Sequence, residues 1–185
     1  GNDLTDVVVE LEGLACPAVQ RSQPVDIALV LDVSGSMDDS TPDGESKLEA
    51  TKTAAINFLS NFNLDPNDPR NSDQVALVAF ASSPTVISGL SRDQQALISA
   101  INGLSANGGT DIPSAIDAGT DILNGPDGNF AGNAASVIVL LSDGQDNLSA
   151  SQRAANRARQ TAQARIVTIG LGDDVDRDVL TAIAD

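Results

Sequence analysis

The apolar positions fall into two kinds of run. The stretches "VDIALVLDV" (25–33), "QVALVAFAS" (74–82) and "ASVIVLLSD" (135–143) are almost continuously apolar, and "RIVTIGLG" (165–172) is a shorter version of them. Continuous runs of this length, bounded by polar loops, predict strands covered on both faces of a sheet. Between them the spacing changes to that of helices. From Lys47 to Phe62 the residues Leu48, Thr51, Ala55, Phe58, Leu59 and Phe62 fall on one side, with Ser46 placed to cap the first turn. Further helices are expected over Arg92–Leu104, after the glycine turn at 107–109 with Pro113 in the first turn, over the alanine-rich 149–164, and over 175–185. "TVISGL" (85–90), flanked by Pro84 and containing Gly89, predicts a short edge strand over 85–89.

Strands alternating with helices predict an α/β fold: a doubly wound, mostly parallel sheet with helices on both faces. The expected strand order is 3-2-1-4-5. The division of the chain is residues 1–24 as an N-terminal extension and linker, with prolines at 17 and 24, and 25–185 as one domain. "DVVVELE" (6–12) is strand-like and is expected along an open edge of the sheet.

The first buried strand ends in an unusual way. "DVSGSM" (32–37) puts Asp32, Ser34 and Ser36 at every second position. In an open parallel α/β sheet, ligands bind beyond the carboxyl ends of the strands. Two more oxygen-bearing loops are directed to that rim: "GGTD", with Thr110 where a helix begins, and "LLSDG", with Asp143 where a strand ends. Small oxygen donors without nitrogen or sulfur suit a hard divalent cation, Mg²⁺ first, with Mn²⁺ or Ca²⁺ as alternatives. Two carboxylates offset the charge of one dication, while three hydroxyls add none. One position is then left for water or for a carboxylate brought by a partner. The same residues have simpler roles open to them: Ser34 and Ser36 as turn formers, Thr110 as a helix N-cap, Asp143 as a turn residue. Asp38, Asp111 and Asp146 are expected around the site or in solvent rather than on the ion. "GPDGN" (125–129) is expected to be a turn.

Taken together, "DVSGSM", "GGTD" and "LLSDG" resemble the metal-ion-dependent adhesion site of the von Willebrand factor A domain family, in order and in spacing, over about residues 25–185. The resemblance implies a Rossmann-like sheet with one short antiparallel edge strand. It implies that Ser34, Ser36 and Thr110 hold the metal directly when a ligand is bound, that Asp32 and Asp143 act largely through water, and that an acidic residue of a protein partner completes the shell. By the same resemblance a last strand and helix are expected to follow "LTAIAD".

Composition narrows the function classes. The chain has 10 Lys and Arg against 26 Asp and Glu, a net charge of −16. That sign is wrong for nucleic acid and for anionic membrane surfaces. No apolar run reaches the roughly 18 residues of a membrane span. The single cysteine, Cys16, excludes an internal disulfide and is expected to be a small buried hydrophobe. The chain contains no His, which removes the usual general base of a hydrolytic triad. It has no phosphate-binding G-x-x-x-x-G-K-[ST] loop, and Ser34 stands where an aspartyl phosphatase would need a second Asp. No catalytic residue is assigned. The expected function is a metal-dependent protein-binding module of a secreted or cell-surface protein. The alternatives are an intracellular assembly subunit working with an AAA ATPase or chelatase, in the cytoplasm, and a metal-assisted hydrolase.

Overall fold

The computed structural model describes residues 23–41, 44–129, 132–142, 146–172 and 175–185. Among them the elements run β1 (Val25–Asp32), a 3-10 turn (Gly35–Asp38), α1 (Lys47–Leu59), β2 (Gln74–Phe80), β3 (Pro84–Ser91), α2 (Gln94–Asn102), α3 (Ile112–Leu123), β4 (Ala135–Ser142), α4 (Leu148–Thr161), β5 (Arg165–Gly170) and α5 (Arg177–Ile183). The sheet has the order β3-β2-β1-β4-β5. β1 is parallel to β2 and β4, β4 is parallel to β5, and β3 alone is antiparallel. The predicted order, the parallel core and the antiparallel edge strand are all present.

The continuous apolar run of β1 is sorted by the period of two that a strand imposes. Ala28 and Val30 face one cluster with Val78, Phe80, Ile138, Leu140 and Ile166, closed by residues of α3, α4 and α5. Ile27, Leu29 and Leu31 face the other with Val75, Leu77, Val139 and Leu141, closed by Ala55 and Leu59 of α1 and Leu97 and Ile101 of α2. A strand buried on both faces has no reason to alternate, and β1 does not. The three central strands therefore deliver their carboxyl ends to one rim at fixed relative heights.

Several predicted boundaries are corrected. α1 stops at Leu59 instead of running to Phe62. The Ser60 hydroxyl and the Asn61 amide both donate to the Asn57 carbonyl, at 2.6 and 3.0 Å, and compete with the helical ladder. Phe58 and Phe62 still pack edge to face, 4.7 Å between ring centres. α2 covers Gln94–Asn102, a shorter span than Arg92–Leu104, because Asp93 caps it by accepting from Ala96 N at 3.0 Å. Arg92 turns away to Ser72 Oγ and the Pro69 carbonyl. β3 is longer than the expected 85–89. Proline is tolerated as the first residue of an edge strand, and Gly89 lies where the register with β2 shifts, so neither ends the strand. Residues 125–129 do form a turn, and Gly128 is required there: a Cβ at that position would lie 2.0 Å from the Leu123 carbonyl oxygen.

At β5 the outer edge is met at one point. Asp185 N donates to the Ile166 carbonyl at 3.0 Å, and the Asp185 carboxylate accepts from Ile166 N and from Arg159. The strand-like 6–12, Cys16 and the linker up to residue 22 lie outside the described residues.

One buried acid went unanticipated. Asp26, only 2% exposed, sits at the opposite end of β1 from the rim and accepts from Asn129 N. Burial pushes its carboxyl above the ordinary value, against the hydrogen bonds of Asn129 and Gln74 and the charge of Arg92, which pull it down. The folded state thus holds this proton more tightly than the unfolded chain does. Asp26 subtracts nothing below the ordinary carboxylate range and removes stability as pH rises through its raised value. Asp26→Asn is therefore expected to gain stability relative to the parent as pH rises from the ordinary carboxylate range, about pH 4, through the raised value of Asp26. Urea unfolding at several pH values checks this; a difference independent of pH would contradict it.

Candidate metal centre

The rim at the carboxyl ends of β1, β2 and β4 is built around Asp32. It is the last residue of β1 and 0% exposed. Its Oδ1 accepts from Ser34 N at 2.8 Å and its Oδ2 from Ser142 Oγ at 2.5 Å. Ser142 ends β4 and immediately precedes Asp143. The carboxylate thus fixes the first turn of its own loop and the end of the neighbouring strand together.

After Asp32 the chain enters the 3-10 turn, whose core anchor is the fully buried Met37. Ser34 occupies the N-cap of this turn, where a serine ordinarily accepts from the turn's amides. It makes no such bond. Its hydroxyl, on a side chain only 1% exposed, faces Ser36 Oγ at 3.2 Å. Two hydroxyls are thereby paired beside a buried carboxylate.

The loop carrying Thr110 is fastened to this turn through its backbone. Gly35 N donates to the Gly108 carbonyl at 2.9 Å, Asn107 N to the Val33 carbonyl at 2.7 Å, and Gly109 N to Ser82 Oγ at 2.8 Å. Gly108 has φ +85°, and a Cβ there would come within 3.0 Å of Ser82 Oγ. Only glycine fits this approach without strain. Thr110 follows, half-buried, just outside α3. It is not the N-cap of α3. Asp111 takes that position and accepts from Ser114 N at 3.1 Å.

Asp146 ties the third loop to the second. Its Oδ2 accepts from Ile112 N at 2.6 Å and its Oδ1 from Asn147 N at 2.5 Å. Asp143 lies outside the described residues; on either side of it, Ser142 and Asp146 are held by Asp32 and by the start of α3. Of the five predicted site residues, Asp32, Ser34 and Ser36 form one bonded group, and Thr110 belongs to a loop bonded to that group. Ser142 and Ser82 were not expected as organisers of the rim, whereas Asp146, expected around the site or in solvent, holds the start of α3 there. The only sequence sign of Ser142 is its position directly before Asp143.

Among the described residues no group of three or more His, Cys, Asp or Glu side chains is placed to hold a metal. The donor set here is of another kind: one described carboxylate and hydroxyls, all hard oxygen donors. It fits a hard divalent cation rather than zinc's usual nitrogen and sulfur shell. Asp38 and Asp39 at the end of the 3-10 turn, with Asp111 and Asp146, add negative charge around the rim and favour a cation there.

The sequence model of the von Willebrand factor type A domain matches residues 26–185. The chain belongs to the von Willebrand factor A family. Domains of this family are typically protein-interaction modules rather than enzymes. The A domain is also 30% identical over 169 residues to the uncharacterised protein sll0103 of Synechocystis sp., covering 89% of this chain and 36% of that protein. It thus spans about a third of that relative's length. Among solved structures it superposes on manganese-loaded TRAP protein of Plasmodium vivax with a TM-score of 0.71 at 20% identity, over 87% of this chain and 62% of that one. It superposes on the vWF domain of the type V pili tip protein Mfa5 of Porphyromonas gingivalis with a TM-score of 0.70 at 16% identity, over 88% and 86%. These likenesses are of fold.

Proposed function

We propose that this A domain is a metal-dependent protein-binding module. One divalent cation, Mg²⁺ first, is held by Ser34, Ser36 and Thr110, with Asp32 and Asp143 in contact directly or through water. The carrying observation is the pair of hydroxyls on Ser34 and Ser36, 3.2 Å apart beside fully buried Asp32. When bound, the ion supplies a Lewis-acidic position for a carboxylate of a partner protein. Asp32 orients the serine turn and the end of β4, and the Gly108 carbonyl keeps the Thr110 loop against that turn. The manganese in the Plasmodium relative supports a divalent ion. The pili tip relative and the net charge of −16 support a secreted or cell-surface setting. Among the described residues no helix is long and apolar enough to cross a membrane.

Calorimetric titration with millimolar Mg²⁺, Mn²⁺ and Ca²⁺ tests the reading. One site is expected, weakened about tenfold or more by Ser34→Ala. Absence of binding by all three ions would contradict it. No ester or phosphate hydrolysis is expected from the loaded protein, since the chain has no His to act as base. Mg²⁺-dependent turnover abolished by Asp143→Ala would overturn that part.

A further inference from the structure

A groove of about 470 Å³ opens beside the candidate metal centre, lined in part by Val33, Ser82, Thr85, Ile87, Leu104 and Gly108. Three of these residues belong to the framework of the centre. Val33 lies between Asp32 and Ser34 and bonds the Thr110 loop through Asn107; the Gly108 carbonyl holds Gly35; Ser82 holds Gly109. The groove therefore begins where the metal centre ends and runs to the edge strand β3.

Its charge sets it apart. The groove is walled by two stretches, residues 79–91 and 103–110, and neither contains an Asp, Glu, Lys or Arg. The rest of the rim carries Asp38, Asp39, Asp111 and Asp146, in a chain of net charge −16. A partner that brings a carboxylate to the cation must approach an acidic protein. The uncharged groove is the side on which the chain flanking that carboxylate meets no fixed charge.

The floor is apolar and its wall is a strand edge. Ile87, which lines the groove, is 40% exposed, a large value for an apolar residue on a strand. Edge strands are commonly guarded by charge, and β3 carries none. Thr85 and Ile87, two residues apart, present the same face to the groove. The register of β3 against β2 shifts at Ile87 and again between Ser88 and Ser91, while Pro84, Thr85 and Val86 pair regularly with Phe80, Ala79 and Val78 at the end nearest the rim.

We infer that this groove receives the segment of the partner next to its metal-bound acid, and that this segment is an extended peptide with apolar or small uncharged residues on one side of the acidic residue. The inference rests on the metal-dependent reading above. Its occupant is recognised by two elements together: one carboxylate for the cation, and uncharged apolar chain along β3.

A peptide array tests it, with a single central Asp and all other positions varied, probed with the full chain in millimolar Mg²⁺. Apolar and small residues are expected to be selected on one side of the Asp. Ile87→Asp should weaken the selected peptides tenfold or more, and Ile87→Ser about fivefold, from lost apolar contact without added charge. Mg²⁺ affinity measured by calorimetry should not fall in either variant. Mg²⁺-dependent peptides that bind Ile87→Asp as well as the parent, or an array that selects nothing, would overturn the groove assignment. Peptides that need Ile87 but are indifferent to Mg²⁺ and to Ser34→Ala would leave the groove standing and sink the metal reading instead.

Discussion

Replacing Asp32 with Asn is expected to lower Mg²⁺ affinity about 100-fold or more while leaving the domain folded. The reason lies in what each oxygen of Asp32 does. Oδ1 accepts from Ser34 N and Oδ2 from Ser142 Oγ, both in a fully buried position. An Asn side chain keeps an acceptor for Ser34 N. Its amide donates where the second oxygen stood, and the Ser142 hydroxyl can rotate to accept. The hydrogen-bonded frame survives, and the negative charge does not. Asp32→Ala removes both acceptors. It takes away the acceptor of the buried Ser34 N–H, a loss of about 1–3 kcal/mol, and the bond that the Ser142 hydroxyl makes to Asp32. Relief from burying a charge offsets part of that. The alanine variant should therefore be less stable than the asparagine variant by about 2 kcal/mol, with both equally blind to the ion. Calorimetry and urea unfolding on the pair separate the two roles. If Asp32→Asn binds Mg²⁺ like the parent, the carboxylate is only a structural clasp.

The largest effect on stability is expected at Phe80. It is 0% exposed and the largest of the fully buried side chains. It shares its cluster with Ile112 and Ala115, the first turn of α3. Truncation to Ala should destabilise the domain by about 3–5 kcal/mol, from lost burial plus the cavity left behind. Phe80→Leu, which keeps most of the volume, should lose only about 1–1.5 kcal/mol. The backbone bond from Val33 N to the Phe80 carbonyl, 2.8 Å, does not depend on the side chain. The serine turn should therefore keep its place. The start of α3 next to Thr110 loses packing, so Mg²⁺ affinity should drop less than tenfold, far less than in Asp32→Asn. Urea unfolding gives the first quantity and calorimetry the second. A loss below about 1 kcal/mol in Phe80→Ala would mean that the face of the sheet covered by α3, α4 and α5 is not packed as described.

How much of this could be read in the chain differs from element to element. The buried strands announced themselves because a strand covered on both faces is apolar over most of its length, as β1 is over 27–31, β2 over 75–80 and β4 over 137–141. The oxygen-bearing ends of β1 and β4 were legible for the converse reason: polar residues placed directly against such a run are exceptions. Helix ends were legible only where a cap stood alone, as Ser46 does before α1. Asp111 and Thr110 both suit an N-cap, and nothing local chooses between them; the choice is made by the bond from Ile112 N to Asp146, 34 residues away. Ser82 and Ser142 were invisible as organisers because each acts across a tertiary contact, and for the same reason the sequence placed Asp146 near the site without its partner Ile112. Asp26 was hidden for the same reason: inside an apolar run, its acceptor role depends on Asn129, 103 residues distant. β3 outruns its sequence signal because Pro84 and Gly89 ordinarily break a strand, whereas an edge strand tolerates both.

The proposed function stands on one divalent cation among Ser34, Ser36 and Thr110. Crystals of the chain soaked in millimolar Mn²⁺, with diffraction recorded at the manganese absorption edge, test it most directly. One strong anomalous peak is expected within metal-bonding distance, about 2.0–2.4 Å, of the Ser34 and Ser36 hydroxyls. A rim without such a peak in a crystal that takes up manganese elsewhere would contradict it.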